Sequence, residues 1–156
     1  MAEGIASIAF VDDLITILNN NWKSDNGGTK PQIKRKWEIK ETGFATGDYA
    51  IILISIDSEN PQIYSMLQGN STDHTKFRYD WLHDVSVTLD VRTGISLNRV
   101  LQLTNETMRI LKDNVVPVVK TNDYIRVLPE NVTSANEEYR NLFRMLIDCS
   151  ALRFNP

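Results

Sequence analysis

The chain has 156 residues and a net charge of −3, which together predict one soluble domain with a sizeable core and no global positive charge for nucleic acid. No apolar stretch approaches the ~18 residues that a membrane-spanning helix needs. Cys149 is the lone cysteine, which excludes an intramolecular disulfide, and Glu3 stands where a signal peptide carries positive charge, so we expect an intracellular product.

The first predicted element is an amphipathic helix over residues 5–22. Apolar side chains recur there at helical spacing, namely Ile8, Val11, Ile15, Leu18 and Trp22. Residues 24–29, which include Gly27 and Gly28, predict a loop. Residues 33–39 predict a short strand.

Two longer extended segments are predicted in the middle of the chain. Residues 48–57, with the sequence DYAIILISID, are rich in isoleucine and predict a central strand. We expect Asn60 and Pro61 to open a turn after it, and residues 68–75 to form a polar loop. Residues 77–92 predict one long strand, in whose second half polar residues alternate with Val85, Val87, Leu89 and Val91.

A second helix is predicted over residues 96–113, with Ser96 as its N-cap. Its apolar face is broad, and we expect Leu101 and Met108 to be buried against a sheet. Residues 124–128 then alternate as a short strand.

The end of the chain carries two competing signals. Ser134 and Glu137 match a capping box and favour a helical turn over residues 135–139, from which a helix could continue through Ile147. The apolar residues between 142 and 154 fit a strand buried on both faces, which we favour. The sum is an α+β fold in a single domain, residues 1–156, whose antiparallel or mixed sheet of about four to six strands is packed by two helices.

The sequence contains no P-loop, no dinucleotide-binding fingerprint and no serine elbow. We therefore expect no catalytic residues, no bound metal and no cofactor. Two alternatives stay open: an improvised metal site at His74 with Asp73 and Asp80, and a hydrolase that uses Asp57 or His83.

One local cluster of positive charge lies in KPQIKRKWEIK, residues 30–40, around Trp37. Its cations are Lys30, Lys34, Arg35, Lys36 and Lys40. Basic side chains around an aromatic ring suit a nucleic-acid backbone and a stacked base. They equally suit an edge strand kept soluble by lysine, with Trp37 facing the core. We favour the edge strand, because no motif for a specific partner accompanies the cluster.

The long strand that ends VTLDVRT, followed by a helix, resembles a segment of known viral proteins. Residues 90–93 and the helix at 97–111 resemble the "DVRT"-like run and packing helix of tail terminator and tail completion (neck) proteins of tailed bacteriophages and tailed archaeal viruses. Residues 124–154 resemble the short strand, polar loop and closing strand of the same proteins. In the N-terminal half only the order of the elements is similar.

This resemblance implies a virion structural protein without enzymatic activity, namely a tail terminator that forms a closed ring, usually a hexamer. Such a ring caps the tail tube protein, docks a neck or head-completion protein, and lets DNA pass through its lumen without specific binding. It is assembled in the host cytoplasm, resides in the tail or neck of the virion and contacts no membrane. The interface candidates are Lys34, Arg35, Lys36, Trp37, Asn70, Asp73 and Arg92.

We expect the three cations at positions 34–36 to pair with acids such as Asp12, Asp13 or Glu38, because a basic lumen would hinder DNA. Two alternative functions remain. A head-tail joining protein belongs to the same class, whereas a small nucleic-acid-binding α+β module using residues 34–37 belongs to another.

Overall fold

A mixed sheet carries the long helices on one of its faces. The computed structural model describes residues 4–38, 50–68, 77–114, 124–136 and 142–155. Its helices are α1 (Gly4–Asn21), the single turn α2 (Ser24–Gly27) and α3 (Leu97–Asp113). Its strands are β1 (Gln32–Arg35), β2 (Ala50–Gln68), β3 (Phe77–Thr93), β4 (Tyr124–Ser134) and β5 (Phe143–Asn155).

The five strands lie in the order β1-β2-β3-β5-β4. β1 runs parallel to β2, and every other neighbouring pair is antiparallel. β1 and β4 therefore form the two edges of the sheet in the described part of the chain. The predicted α+β class, with a mixed sheet packed by an N-terminal helix and a second long helix, is confirmed.

The core lies between the helices and one face of the sheet. The four alternating apolar residues of β3, from Val85 to Val91, are each at most 1% exposed. They pack with Ile52 and Ile54 of β2, Ile147 of β5 and the inward stripe of α1. Burying each such aliphatic side chain contributes roughly 1.5–3 kcal/mol to stability. The alternation in β3 thus defines one face covered by the described helices and an opposite face on which no described helix packs, which we call the helix-free face.

The passage from β3 into α3 is built from two hydroxyl groups. The Thr93 hydroxyl accepts a hydrogen bond from the backbone N–H of Ile95 at 3.3 Å. The Ser96 hydroxyl accepts one from the N–H of Arg99 at 3.1 Å, which confirms the predicted N-cap. The chain therefore turns from strand to helix within three residues without a glycine-rich loop.

The prediction that Leu101 is buried is wrong, because its side chain is 39% exposed, and Met108 is only partly buried. Two threonines, Thr104 and Thr107, take inward positions instead, and their hydroxyls donate to the carbonyls of Val100 and Leu103. A polar side chain is tolerated inside when its hydrogen bond is made. The helix still packs on the sheet, through Val100, Leu103, Ile110 and Leu111.

β2 is longer than predicted and passes straight through the expected turn at Asn60 and Pro61. Pro61 is paired in register with His83 of β3. β1 accompanies β2 only as far as Ile54, so Pro61 lies where β2 is an edge in the described residues, a position at which proline is tolerated. Register shifts at Ile56/Ser58 and Ile63/Ser65 absorb the irregularity.

The C-terminal segment is extended, as predicted, and pairs with β3 on one side and β4 on the other. Ser134 ends β4, so the capping-box interpretation is wrong at this residue. Asn136 instead accepts a hydrogen bond from the N–H of Arg144 at 2.8 Å. Of the helical turn predicted over 135–139, the first two residues are not helical and the others lie outside the described residues.

The remaining differences are local. Residues 24–27 form a helical turn within the predicted loop, and β1 ends at Arg35, after which Lys36–Glu38 form a 3-10 turn. β4 extends six residues past its predicted end at Leu128. Gln68 belongs to β2, and the rest of the predicted 68–75 loop lies outside the described residues. No helix of the described part is long and apolar enough to cross a membrane.

Candidate functional site

The structure describes only some of the side chains considered for metal or nucleophilic chemistry. Among the described residues no group of three or more histidine, cysteine or acidic side chains is arranged to hold a metal ion. Cys149 is buried, and this burial, followed by the charges of Asp148 and Glu130, raises the pKa of its thiol to about 12. The thiol is therefore protonated near neutral pH. His74 and Asp73 lie outside the described residues, and Asp80 and His83 lie on β3.

Asp57, the candidate carboxylate for a hydrolase, belongs to a polar link across three strands. The Thr88 hydroxyl on β3 donates a hydrogen bond to Asp57 of β2, and an Asp148 carboxylate oxygen on β5 lies 3.2 Å from the same hydroxyl. A hydroxyl has one proton to donate, so it serves one carboxylate at a time. The arrangement ties β2, β3 and β5 together on the helix-free face.

Arg35 anchors the basic segment to the first helix. Its guanidinium donates to both carboxylate oxygens of Asp12, from Nε at 2.7 Å and from Nη2 at 2.5 Å. This bidentate pair confirms the predicted pairing with Asp12 for Arg35, which is one of the three cations at positions 34–36. It joins β1 to α1, although both side chains are partly exposed and such a pair contributes little to stability.

Three lysines of the same segment remain on the surface. Lys30 and Lys34 are exposed and Lys36 is partly exposed, and none of them forms an ion pair with another described residue. Lys34 lies on β1, an edge strand as predicted. We call Lys30, Lys34 and Lys36 the basic edge.

Trp37 does not face the core, contrary to the edge-strand interpretation of the sequence. Its side chain is 51% exposed, and the Arg35 guanidinium carbon lies 5.9 Å from the centre of its ring. The 3-10 turn that follows β1 carries Trp37 out of the alternating pattern of the strand. The basic edge therefore continues into an exposed aromatic side chain.

The DVRT run contributes a buried ionic cluster on the helix-free face. The Asp90 carboxylate, 0% exposed, accepts hydrogen bonds from Arg92 Nε at 3.0 Å and Arg144 Nε at 2.9 Å. Burial raises the pKa of Asp90, but the hydrogen bonds and charges of Arg144 and Arg92 outweigh it, so this pKa lies below its ordinary value. Arg92, predicted to lie at an interface, is itself covered within the subunit.

The opposite edge of the sheet is exposed along the second half of β4. Every residue from Glu130 to Ser134 is exposed, including Val132 at 37%. Asn131 is paired in register with Asp148 of β5, which brings that carboxylate beside the edge. We call Glu130 and Asp148 the acidic edge.

A third surface lies at the start of α3. Ile95, Leu97 and Leu101 are exposed there, beside a pocket of about 450 Å³ lined in part by Lys30 and Gln32. Arg99 also lines this pocket and donates to the carbonyls of Gly27 at 2.5 Å and Thr29 at 2.6 Å. These bonds fasten the α2 segment to α3 and hold the pocket wall in place.

Four of the seven predicted interface residues lie together at the β1 edge, namely Lys34, Arg35, Lys36 and Trp37. Asn70 and Asp73 lie outside the described residues. The sequence analysis missed the exposed run of β4, although Pro129 carried a signal, because proline within a strand indicates an edge. It also missed the exposed ridge of Leu97 and Leu101, whose spacing of four residues places them together on a helix.

No protein-family model matches the sequence, and no curated protein matches it either. Among solved structures, the chain is similar to a chain described as "Virion of native gene transfer agent (GTA) particle". The TM-score is 0.54 at 12% sequence identity, and the alignment covers 93% of this chain and 94% of that chain. The two chains therefore share their fold over nearly their whole lengths.

Proposed function

We propose that the protein is a virion structural protein, and more narrowly a tail terminator whose ring caps the tail tube and joins it to the neck. The observation that carries the proposal is the fold shared with a chain of a gene transfer agent virion over 93% of this chain. The DVRT run and the helix after it, which resemble the terminator family, support the narrower assignment. The proposed place of the protein is the tail or neck of a virion assembled in the host cytoplasm.

The arrangement of the described surfaces suits assembly better than catalysis. A stiff sheet, covered by helices on one face, presents two exposed edges in fixed directions. We accordingly propose that the protein has no enzymatic activity. Its proposed partners are further copies of itself in a ring, a hexamer by analogy with the proteins it resembles, together with a tail tube protein and a neck or head-completion protein. DNA would pass through the lumen without specific binding.

Deletion of the gene from the genome that encodes the particle tests this function. A terminator stops the growth of the tail tube, so particles without it should carry tails of excessive and variable length when viewed by electron microscopy. A head-tail joining protein acts later, so its loss should leave tails of normal length that are not attached to heads. Complementation with the wild-type gene is the control. Complete particles of normal appearance after deletion would contradict both assignments.

A nucleic-acid-binding module is the second candidate, and the exposure of Trp37 beside three lysines favours it. Titration of the purified protein with DNA and RNA at low and moderate salt separates the two functions. If the protein is a nucleic-acid-binding module, it should bind tightly, and the Lys34→Ala/Lys36→Ala variant should bind more weakly. The logarithm of its binding constant should also fall less steeply with the logarithm of the salt concentration. Lys112→Ala, at an exposed lysine of α3, is the matched control. A terminator predicts weak binding that these substitutions leave unchanged.

A further inference from the structure

The two edges of the sheet run in opposite directions. β1 is parallel to β2, β2 and β5 are both antiparallel to β3, and β4 is antiparallel to β5. It follows that β4 is antiparallel to β1. In the described residues neither strand has a partner on its outer side, and an unpaired edge offers backbone donors and acceptors to another strand.

These directions favour a head-to-tail contact between copies. If a second copy is placed beside the first by rotation about an axis along the strands, its β1 meets β4 of the first copy in antiparallel orientation. The contact uses two different surfaces, so it leaves one edge free on each side for the next copy, and a suitable rotation closes such a series into a ring.

The middle of β1 and the exposed run of β4 also lie at the same level along the sheet. Lys34 is paired in register with Leu53, and the ladder then continues across the sheet through Asp90 and Leu146 to Thr133. The adjacent ladder runs from Arg35 to Val132. When the two edges are brought together, β1 and the exposed run of β4 therefore lie opposite each other with no offset along the strand direction.

The charges of the two edges are complementary. Lys34 follows the core residue Ile33, and Asp148 follows the core residue Ile147, so both lie on the helix-free face. In a sheet that continues from one copy to the next, this face is the same on both sides of the contact. The basic edge of one copy would then lie against the acidic edge of its neighbour.

We propose that β4 of one subunit pairs with β1 of the next, so that the acidic edge (Glu130 and Asp148) binds the basic edge (Lys30, Lys34 and Lys36) of a second copy. This inference rests on the proposed ring and names the surfaces that close it. The occupant of each edge is another copy of this chain, because the direction, the level and the charge of the two edges match one another.

Two charge-reversed variants test the contact, each altered at one edge only. Lys34→Glu/Lys36→Glu makes the β1 edge acidic, and Glu130→Lys/Asn131→Lys makes the β4 edge basic. Each variant alone places like charges across the contact, and we expect its self-association to weaken by roughly tenfold or more. Size-exclusion chromatography with light scattering measures the association, and circular dichroism verifies that each variant is folded.

Mixing the two variants gives the decisive measurement. Every contact joins opposite charges in an assembly in which the two variants alternate, so an equal mixture should regain the mass of a wild-type ring with an even number of subunits. One chain with all four substitutions should regain the wild-type mass for any number of subunits. Lys112→Glu on α3 and Asp25→Lys on α2 change exposed charges away from both edges and should assemble normally.

The outcomes separate this contact from the proposed function. If the wild type forms a ring and the single-edge variants form it equally well, or if their mixture does not recover, the edge pairing is wrong and the ring stands. If the wild type stays monomeric at every concentration and also on purified tail tubes, the ring itself is wrong and the edge pairing with it.

Discussion

Arg144 of β5 donates two hydrogen bonds to the buried carboxylate of Asp90 on β3, from Nε at 2.9 Å and from Nη2 at 2.8 Å. Arg92 donates to the same carboxylate from two residues along β3. The cluster joins the DVRT run to the last strand of the chain. By joining β5 to β3, the cluster holds in place the strand that carries Asp148 of the acidic edge.

The Asp90 carboxylate should be essential to stability. Asp90→Asn deprives two guanidinium groups of the counter-charge that they share, and breaking a buried ion pair in this way costs about 3–5 kcal/mol. Denaturant unfolding measures the loss. Asp113→Asn is the matched control: Asp113 is an exposed partner of Arg109 at 3.1 Å, and its loss should cost about 0–1 kcal/mol. Equal losses of stability for Asp90→Asn and Asp113→Asn would contradict the stabilising role of the buried ionic cluster.

The contribution of Asp90 should depend on pH in a defined direction. Its pKa in the folded protein lies below the ordinary value of 3.8, so the folded state binds the proton more weakly than the unfolded state does. The contribution is complete above that ordinary value and is lost as the pH falls through the folded pKa. The free-energy difference between the wild type and Asp90→Asn should therefore shrink on acidification, as urea unfolding across a pH series would reveal. A free-energy difference that stays constant across the pH series would contradict the lowered pKa of Asp90.

Two leucines of α3, Leu101 and Leu103, should differ in the stability that each loses on truncation. Leu103 is fully buried, and Leu103→Ala should cost about 2–5 kcal/mol. Leu101 is 39% exposed, and Leu101→Ala should change the free energy of unfolding by less than about 1 kcal/mol. Thermal unfolding of both variants provides the comparison. A larger loss of stability for Leu101→Ala than for Leu103→Ala would indicate that Leu101 belongs to the core.

Periodicity predicted which face of an element is apolar, and it succeeded where that face is the buried one. The second half of β3 shows this, because its apolar residues from Val85 to Val91 alternate strictly and lie under the helices. The same method failed at Leu101, because satisfied threonines occupy inward positions that a hydrophobic pattern leaves to leucine. Helical period alone does not rank the apolar side chains of a broad face.

The edges were harder to predict, since they depend on which strands are neighbours. The turn expected at Pro61 rested on local turn residues, whereas β1 accompanies β2 only through Ile54 and leaves Pro61 at an edge of the described sheet. The lysines in and around β1 correctly indicated an edge, but the acidic edge combines Glu130 of β4 with Asp148 of β5. Those two residues are brought together only by the strand pairing.

Gly27 should not tolerate a side chain. A Cβ atom there would lie 2.6 Å from the Glu106 Cγ atom and 2.6 Å from the Trp22 Cζ2 atom. Glu106 is buried and held by Arg109 and the N–H of Lys23, so it has little freedom to move. Gly27→Ala should lower stability by about 1–3 kcal/mol, as overpacking does. Asn26→Ala, at the exposed neighbouring position, is the control, and denaturant unfolding measures both variants. Equal stability of the two variants would show that Glu106 and Trp22 move enough to accommodate the added methyl group.

Two tryptophans, Trp22 before the basic segment and Trp37 within it, should affect stability and assembly separately. Trp22 donates its indole N–H to the Gly28 carbonyl at 3.0 Å and packs against the core, so Trp22→Phe should cost about 1–3 kcal/mol by leaving that carbonyl without its donor. Trp37 is 51% exposed, so Trp37→Ala should leave the free energy of unfolding within about 0.5 kcal/mol. Because Trp37 adjoins the basic edge, its removal should instead weaken self-association in light scattering. A Trp37→Ala variant that unfolds at a clearly lower denaturant concentration than the wild type would mean that the indole stabilises the fold and is not part of the contact surface.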